Sequence, residues 1–156
     1  MDHGFSIELA DEAQLPSLRD LFTRMYAHFN TSNGITTLSA AGFDRWCRNY
    51  DRSKLVTRAI YIAFEKSEPV AFIEGQIRLA PIVAEPGKIG HVAHLYVADD
   101  FRKHGLASDL YQNLLNWFAT KETIAQTLEV VAANAEGEGF WRSKGFQPTF
   151  VSYIKE

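Results

Sequence analysis

Two hydrophobic periods alternate along the chain. Ser6-Ile7-Glu8-Leu9 alternates polar with apolar, the period of a half-buried strand, and Asp11 with Gln14 three residues on is suited to cap a helix start. Leu18, Leu21, Phe22, Met25 and Phe29 then fall at steps of three and four, so they form one apolar stripe on a helix that ends near residue 29. Asn30-Thr31-Ser32-Asn33-Gly34 is turn chemistry, after which Ala40, Phe43, Trp46 and Tyr50 resume the helical period over residues 39–50. Residues 59–64 and 70–79 read as two strands of a hairpin around a charged turn at 65–69.

The second half repeats strand and helix. Residues 81–90 hold two prolines and two glycines and read as a loop before an apolar strand at 91–97. A polar, basic stretch follows, Asp99-Asp100-Phe101-Arg102-Lys103-His104-Gly105. Leu106, Leu110, Leu114, Trp117 and Phe118 then define an amphipathic helix to about residue 120. A strand at 127–133 completes a strand-helix-strand unit with neighbouring parallel strands. The pattern breaks at Asn134. A short helix over 138–143, Gly145 in the left-handed position after it, and an alternating strand at 149–154 close the chain.

Composition adds bounds. The 156 residues are 46% hydrophobic, 13% aromatic and 22% charged, which fits one globular domain spanning residues 1–156. The single cysteine, Cys47, has no internal disulfide partner, so a reduced, cytoplasmic setting is expected, with Cys47 packed as a small hydrophobe. A net charge of −3 gives no electrostatic footprint for nucleic acid or an anionic membrane and mildly favours a cationic substrate. The start of the chain lacks a basic and apolar leader, and no apolar run is long enough to span a bilayer.

The candidate chemistry sits in the basic turn. Backbone N–H groups at a helix N-terminus lack partners within the helix, and the helix dipole is positive there, so an anion can dock. Gly105 lets a ligand approach the backbone, Ala107 is small, Ser108 offers a hydroxyl, and Arg102, Lys103 and His104 add charge. A pyrophosphate suits this loop, whereas a solvated basic turn is the plain alternative. Neither a P-loop nor a dinucleotide fingerprint is present.

The segment Leu95-Tyr96-Val97-Ala98-Asp99-Asp100-Phe101-Arg102-Lys103-His104-Gly105-Leu106-Ala107 resembles the central motif of the GCN5-related N-acetyltransferases (GNAT), a strand followed by Arg/Gln-x-x-Gly-x-Gly/Ala opening a helix. The resemblance continues through Asn134 and Gly139-Phe140-Trp141-Arg142-Ser143-Lys144-Gly145-Phe146, and the family's element order matches residues 6–154. It implies an α/β (α+β) fold with a central, mixed, mostly antiparallel sheet, splayed parallel strands 91–97 and 127–133, and about four flanking helices.

By the same resemblance, acetyl-CoA is the cosubstrate, with no metal, and lies where those strands splay. Its arm would meet the backbone at Leu95, Tyr96 and Val97. Its pyrophosphate would meet Arg102, Lys103, His104, Gly105, Leu106, Ala107 and Ser108, and Asn134, Phe140 and Trp141 would flank it from the other side. The reaction implied is direct attack of an amine on the thioester, transferring acetyl to a primary amine of a small molecule. The alternatives are a protein or peptide acceptor and a non-catalytic acyl-CoA sensor. A base near the splay points first to His91, then to Glu74, with His94, Glu129 and His104 behind them. Strand alternation sends His91 and His94 to opposite faces unless a bulge intervenes, which argues against a metal held by both. Trp141 stands where many members carry a tyrosine as general acid, so no acid is assigned. Tyr26, Phe29, Phe43 and Trp46, with the loop 81–89, are candidates to line the acceptor cleft. A homodimer through the strand at 149–154 is allowed.

Overall fold

The computed structural model describes residues 4–29, 37–132 and 134–155. The turn expected at 30–34 and the last residue of the strand expected at 127–133 therefore lie outside the described residues. The chain begins with strand β1 (Phe5–Leu9) and a 3-10 turn at Leu15–Leu18, followed by helices α1 (Arg19–His28) and α2 (Gly42–Ser53). Strands β2 (Arg58–Glu65), β3 (Glu68–Leu79) and β4 (Lys88–Val97) come next. Helix α3 (Leu106–Thr120), strand β5 (Ala125–Leu128) and helix α4 (Ala135–Ser143) complete the order.

Asp11 and Gln14 form the reciprocal pair anticipated for a helix start: Gln14 N donates to Asp11 Oδ1 at 2.9 Å and Asp11 N to Gln14 Oε1 at 3.1 Å. Pro16 lacks an N–H, so the first turn tightens to 3-10 before α1 proper begins. The hairpin turn is shorter than expected. Glu65 pairs with Glu68, and Lys66 and Ser67 alone turn the chain with φ of 48° and 73°, the conformation of a two-residue turn that matches strand twist.

The five strands lie in sequence order. All neighbours are antiparallel except β4 and β5, which are parallel and in register from Ile89 with Ala125 to Val92 with Leu128. The expected parallel pair is present with corrected bounds: β4 starts before residue 91, and β5 ends at Leu128 instead of reaching 133. Beyond Val92, β4 continues on β3 alone, so its other edge is open over residues 93–97.

A bulge sits at that departure. Glu74 pairs with His94 but Gly75 pairs with Val92, so Ala93 is an extra residue on β4. Because directly paired residues share a face and Glu74 and Gln76 are two apart on β3, His94 and His91 lie on the same face. The expectation that they oppose each other fails because the inserted residue reverses the alternation.

The two faces are covered separately. Leu15, Leu18, Leu21, Phe22, Met25, Phe43 and Tyr50 pack on Ile60, Ile62, Phe72 and Tyr96. On the other face Leu110, Leu114, Phe118 and Trp141 pack on Ala59, Ala63, Ala71 and Ile73. Residues 147–155 form no helix or strand, and Phe150, Val151 and Tyr153 are exposed. Alternation at 149–154 did not suffice for a strand, because a strand exists only where a neighbour accepts its hydrogen bonds. Among the described residues no helix is long and apolar enough to cross a membrane.

Candidate active site

The open edge of β4 leads into the basic turn. Ala98 N donates to Val70 O at 2.9 Å, so alternation along an antiparallel ladder turns the backbone groups of Tyr96 and His94 toward β3 and those of Leu95 and Val97 toward the open side. Lys103 and Gly105 then adopt left-handed φ of 66° and 80°, swinging the chain into α3. A side chain placed on Gly105 would meet nothing within 4 Å, so that approach to the backbone is clear. The first amide to find a helical carbonyl is Asp109 N, on Gly105 O at 3.0 Å, which leaves those of Leu106, Ala107 and Ser108 without intrahelical partners. The geometry fits an anion.

The three basic residues separate in role. Arg102 Nε donates to Val97 O at 3.1 Å, and its terminal nitrogens reach Asp99 at 2.9 Å and Glu136 at 3.5 Å, so its guanidinium ties the end of β4 to the start of α4. Lys103 and His104 are exposed, the latter with its ring 6.1 Å from that of Phe5. On the far side, Asn134 accepts from Gly137 N at 3.0 Å and caps α4. Trp141 is buried edge-on against Tyr111, Phe140 and Phe146 at 5.2, 4.8 and 5.4 Å, a packing role.

Beside β4, on the face of α1 and α2, lies a pocket of about 430 Å³ lined by Trp46, Asn49, Ser53, Thr57, Arg58, Glu74, Gln76, Ile77 and His94. At its floor Glu74 has no exposed surface. Its Oε2 accepts from Trp46 Nε1 and Arg58 Nη2, each at 2.5 Å, and its Oε1 from Gln76 Nε2 at 2.9 Å. His94 Nδ1 lies 3.5 Å from Oε1 without hydrogen-bond direction, and its Nε2 is 3.2 Å from the Tyr26 hydroxyl. Burial alone would raise the Glu74 carboxyl. The neighbouring His94 and the Arg58 guanidinium outweigh it and hold the group at about 2, with Arg58, the directed partner, as the firmer hold. Glu74 is thus a fixed anion at neutral pH.

His91 is buried on the same face with Nδ1 2.9 Å from Thr127 Oγ1. Burial, then the charge of Arg78, pushes its pKa below the ordinary histidine value, so the ring is neutral at pH 7. Glu129 is exposed. Burial raises the Cys47 thiol, with Asp51 and Asp44 adding to it, so it stays protonated. Among the described residues no three His, Cys, Asp or Glu side chains gather as a metal site.

Of the cleft candidates, Trp46 lines the pocket and Tyr26 touches His94, whereas Phe43 packs against Phe22 and Phe29 against Tyr96. The loop at 81–89 exposes Ile82 and Val83 instead of lining the pocket. Arg58 and Gln76 were missed. The signal was the hairpin register: a turn at 65–69 sets residue 64 against 70 and so Arg58 against Gln76, diagonal to Glu74, and the structure keeps that register because the extra residue Val70 offsets the shorter turn at 66–67.

Residues 15–146 match the Acetyltransferase (GNAT) family. An aminoglycoside N-acetyltransferase in complex with CoA superposes with a TM-score of 0.80 at 15% identity, covering 97% of this chain and 93% of that one. Glucosamine-6-phosphate N-acetyltransferase from Arabidopsis thaliana superposes with a TM-score of 0.70 at 17% identity, covering 97% of each chain. An aminoglycoside acetyltransferase from an uncultured soil metagenomic sample, in complex with sisomicin, gives a TM-score of 0.75 at 15% identity, over 99% of this chain and 97% of that one. Comparison with curated protein sequences finds no match.

Proposed function

The chain belongs to the GNAT acetyltransferase family, acyltransferases with acetyl-CoA as donor, and from that membership we propose that it acetylates a primary amine of a small molecule by direct attack. The observation that carries the small-molecule reading is the pocket of about 430 Å³ beside the open edge of β4, the size of a small-ligand site and lined by hydrogen-bonding groups. Structural neighbours that bind aminoglycosides or act on an amino sugar phosphate support the reading. Acetyl-CoA supplies an activated thioester. This chain's part is to hold the donor along Leu95 and Val97 with its pyrophosphate on the amides of residues 106–108 beside Lys103, to orient the amine, and to take its proton.

Glu74 and the histidines divide that last task. A carboxylate held at about 2 and already bonded by three donors is a weak proton acceptor, so Glu74 fixes charge and position. His91 and His94 share the face of the pocket, and His94 is the one that lines it. We assign the proton to His94, with His91 as the neutral neighbour one strand step away. The test is thiol release from acetyl-CoA against small amines, amino acids and peptides, with CoA binding followed by calorimetry. His94→Gln is expected to lower kcat/KM by about a hundredfold or more, and His91→Gln by less. Turnover of peptides alone would replace the small-molecule reading. Tight CoA binding without turnover of any amine would replace the enzyme with a sensor.

A further inference from the structure

The pocket that receives the amine is not acidic. Its one carboxylate is engaged on both oxygens by Trp46, Arg58 and Gln76, and the other polar groups lining it, Asn49, Ser53 and Thr57, are neutral. Arg58 lines the same pocket with its side chain nine-tenths buried, and its Nη2 is committed to Glu74 while its Nε has no partner. A second guanidinium stands nearby: Arg78 lies on the same face of β3, exposed, with Nη2 3.4 Å from the oxygen of Gln76. It is close enough to push the His91 ring toward its neutral form, against the smaller opposing pull of the exposed Glu129 carboxylate and of Glu74. The segment at 30–36, between α1 and α2, has no charged residue in its sequence, so it adds no carboxylate.

A polycation entering this pocket would exchange the hydration of several ammonium groups for one carboxylate that is already neutralised. An anionic group would instead meet the Arg58 and Arg78 guanidinium groups, of which Arg58 Nη2 alone is spent on a carboxylate among the described residues, and charge-assisted bonds to guanidinium are among the stronger ones. We propose that the acceptor is an amine that also carries an anionic group, a carboxylate or a phosphate, held by Arg58 with Arg78 at the rim while the amine faces His94. This rests on the acetyltransferase reading and narrows it. The amine nitrogen forms the new C–N bond, the C–S bond breaks with its electron pair leaving on sulfur, and the proton lost by the amine passes to His94.

The experiment uses matched acceptors with the full chain: β-alanine against β-alaninamide, phosphoethanolamine against ethanolamine, and spermidine as a polycation. In at least one pair the anionic member is expected to show a kcat/KM about tenfold or more above its uncharged partner, and the responding pair separates carboxylate from phosphate. Arg78→Gln, on an exposed side chain, should cut that ratio several-fold with Tm unchanged. Arg58→Lys keeps a charge opposite Glu74 but loses the planar fork, and should cut it further. Best turnover of spermidine or of the uncharged amines, or a ratio unmoved in both variants, would overturn the proposal. If CoA binds but no amine turns over, the acetyltransferase reading fails, and calorimetry of N-acetyl-β-alanine against its amide decides the anion site alone. Binding of the acid that weakens in Arg58→Lys would sustain it, and equal or absent binding of the two would end it.

Discussion

On the face under α3 the sheet presents Ala59, Ala63, Ala71 and Gly75, and the helix side chains settle into the space those small residues leave. On the face under α1 and α2 the same strands present Ile60, Ile62 and Phe72, and then, one step further along β3, the fully buried carboxylate of Glu74. Both faces bury their side chains, but by different physics. The first is held by apolar burial and close packing, in which each side chain contributes its own share. The second places Glu74, Arg58, Gln76 and Trp46 in one mutually dependent network, where removing one member leaves the others desolvated and unpaired. The apolar face carries the helix whose N-terminus is proposed to meet the donor, and the charged face holds the pocket proposed for the acceptor. Rigidity and chemistry are thus assigned to opposite sides of one sheet.

Breaking the charged network tests that division with the largest expected effect. Glu74→Ala leaves the Arg58 guanidinium buried without its counter-ion, at a cost of about 3–5 kcal/mol, a large share of a domain's stability. Urea unfolding followed by circular dichroism reads this, and a native midpoint would show that the network is not what closes this face. The gentler Glu74→Gln keeps the shape and removes the charge. Because the carboxyl is lowered from 4.5 to about 2, its stabilisation is complete above about pH 4.5 and is lost as pH falls through about 2. In Glu74→Gln that part of the acid dependence should disappear, leaving a flatter stability profile between those pH values.

A substitution on the opposite face sharpens the contrast. A Cβ on Gly90 would lie 2.7–2.9 Å from ring atoms of Phe118, which is itself buried under α3, so neither the ring nor the strand can yield freely. Gly90→Ala should cost about 1–3 kcal/mol by overpacking. Its pH dependence of stability should stay parallel to that of the native chain, since no charge is touched. A changed acid profile would mean that the two faces are coupled through β4.

The unequal legibility of the faces follows from the same difference. Apolar periodicity identified the elements under α3 because Leu106, Leu110, Leu114 and Phe118 fall on one stripe, and Gly105 marked the start of that helix with a left-handed backbone. Asp11 with Gln14 and Gly145 also behaved as their residue types suggest. The charged face was less readable. A buried Glu74 breaks the strand's apolar pattern, and its partners come from α2, β2 and β4, which only the register brings together. Ala93 has no residue-level mark of a bulge, yet it moves His94 beside Glu74 and decides which histidine reaches the pocket. The segment at 149–154 has strand periodicity but no strand pairing, a fact about its neighbours that its own residues do not contain.

The smallest change asks whether the charged face is arranged for chemistry or only for closure. The Tyr26 hydroxyl is 3.2 Å from His94 Nε2, and burial, with the charge of Glu74, raises its pKa, so it remains a protonated donor. Donation to Nε2 leaves the ring proton on Nδ1, which faces Glu74 Oε1 at 3.5 Å, so Nε2 is the nitrogen that takes up the amine's proton, by way of the hydroxyl bonded to it. Tyr26→Phe removes one such hydrogen bond, worth about 1 kcal/mol, and leaves the aromatic packing against Phe22 in place. If the hydroxyl serves only closure, unfolding shifts by that amount and turnover per folded molecule does not change. If it positions the imidazole that takes the proton, kcat falls about fivefold while KM holds, since the group acts on the reacting amine and not on the binding of the acceptor. A loss confined to kcat would place Tyr26 with Glu74 as a positioning residue for His94. A loss confined to stability would assign the contact to the fold and leave His94 oriented by Glu74 alone.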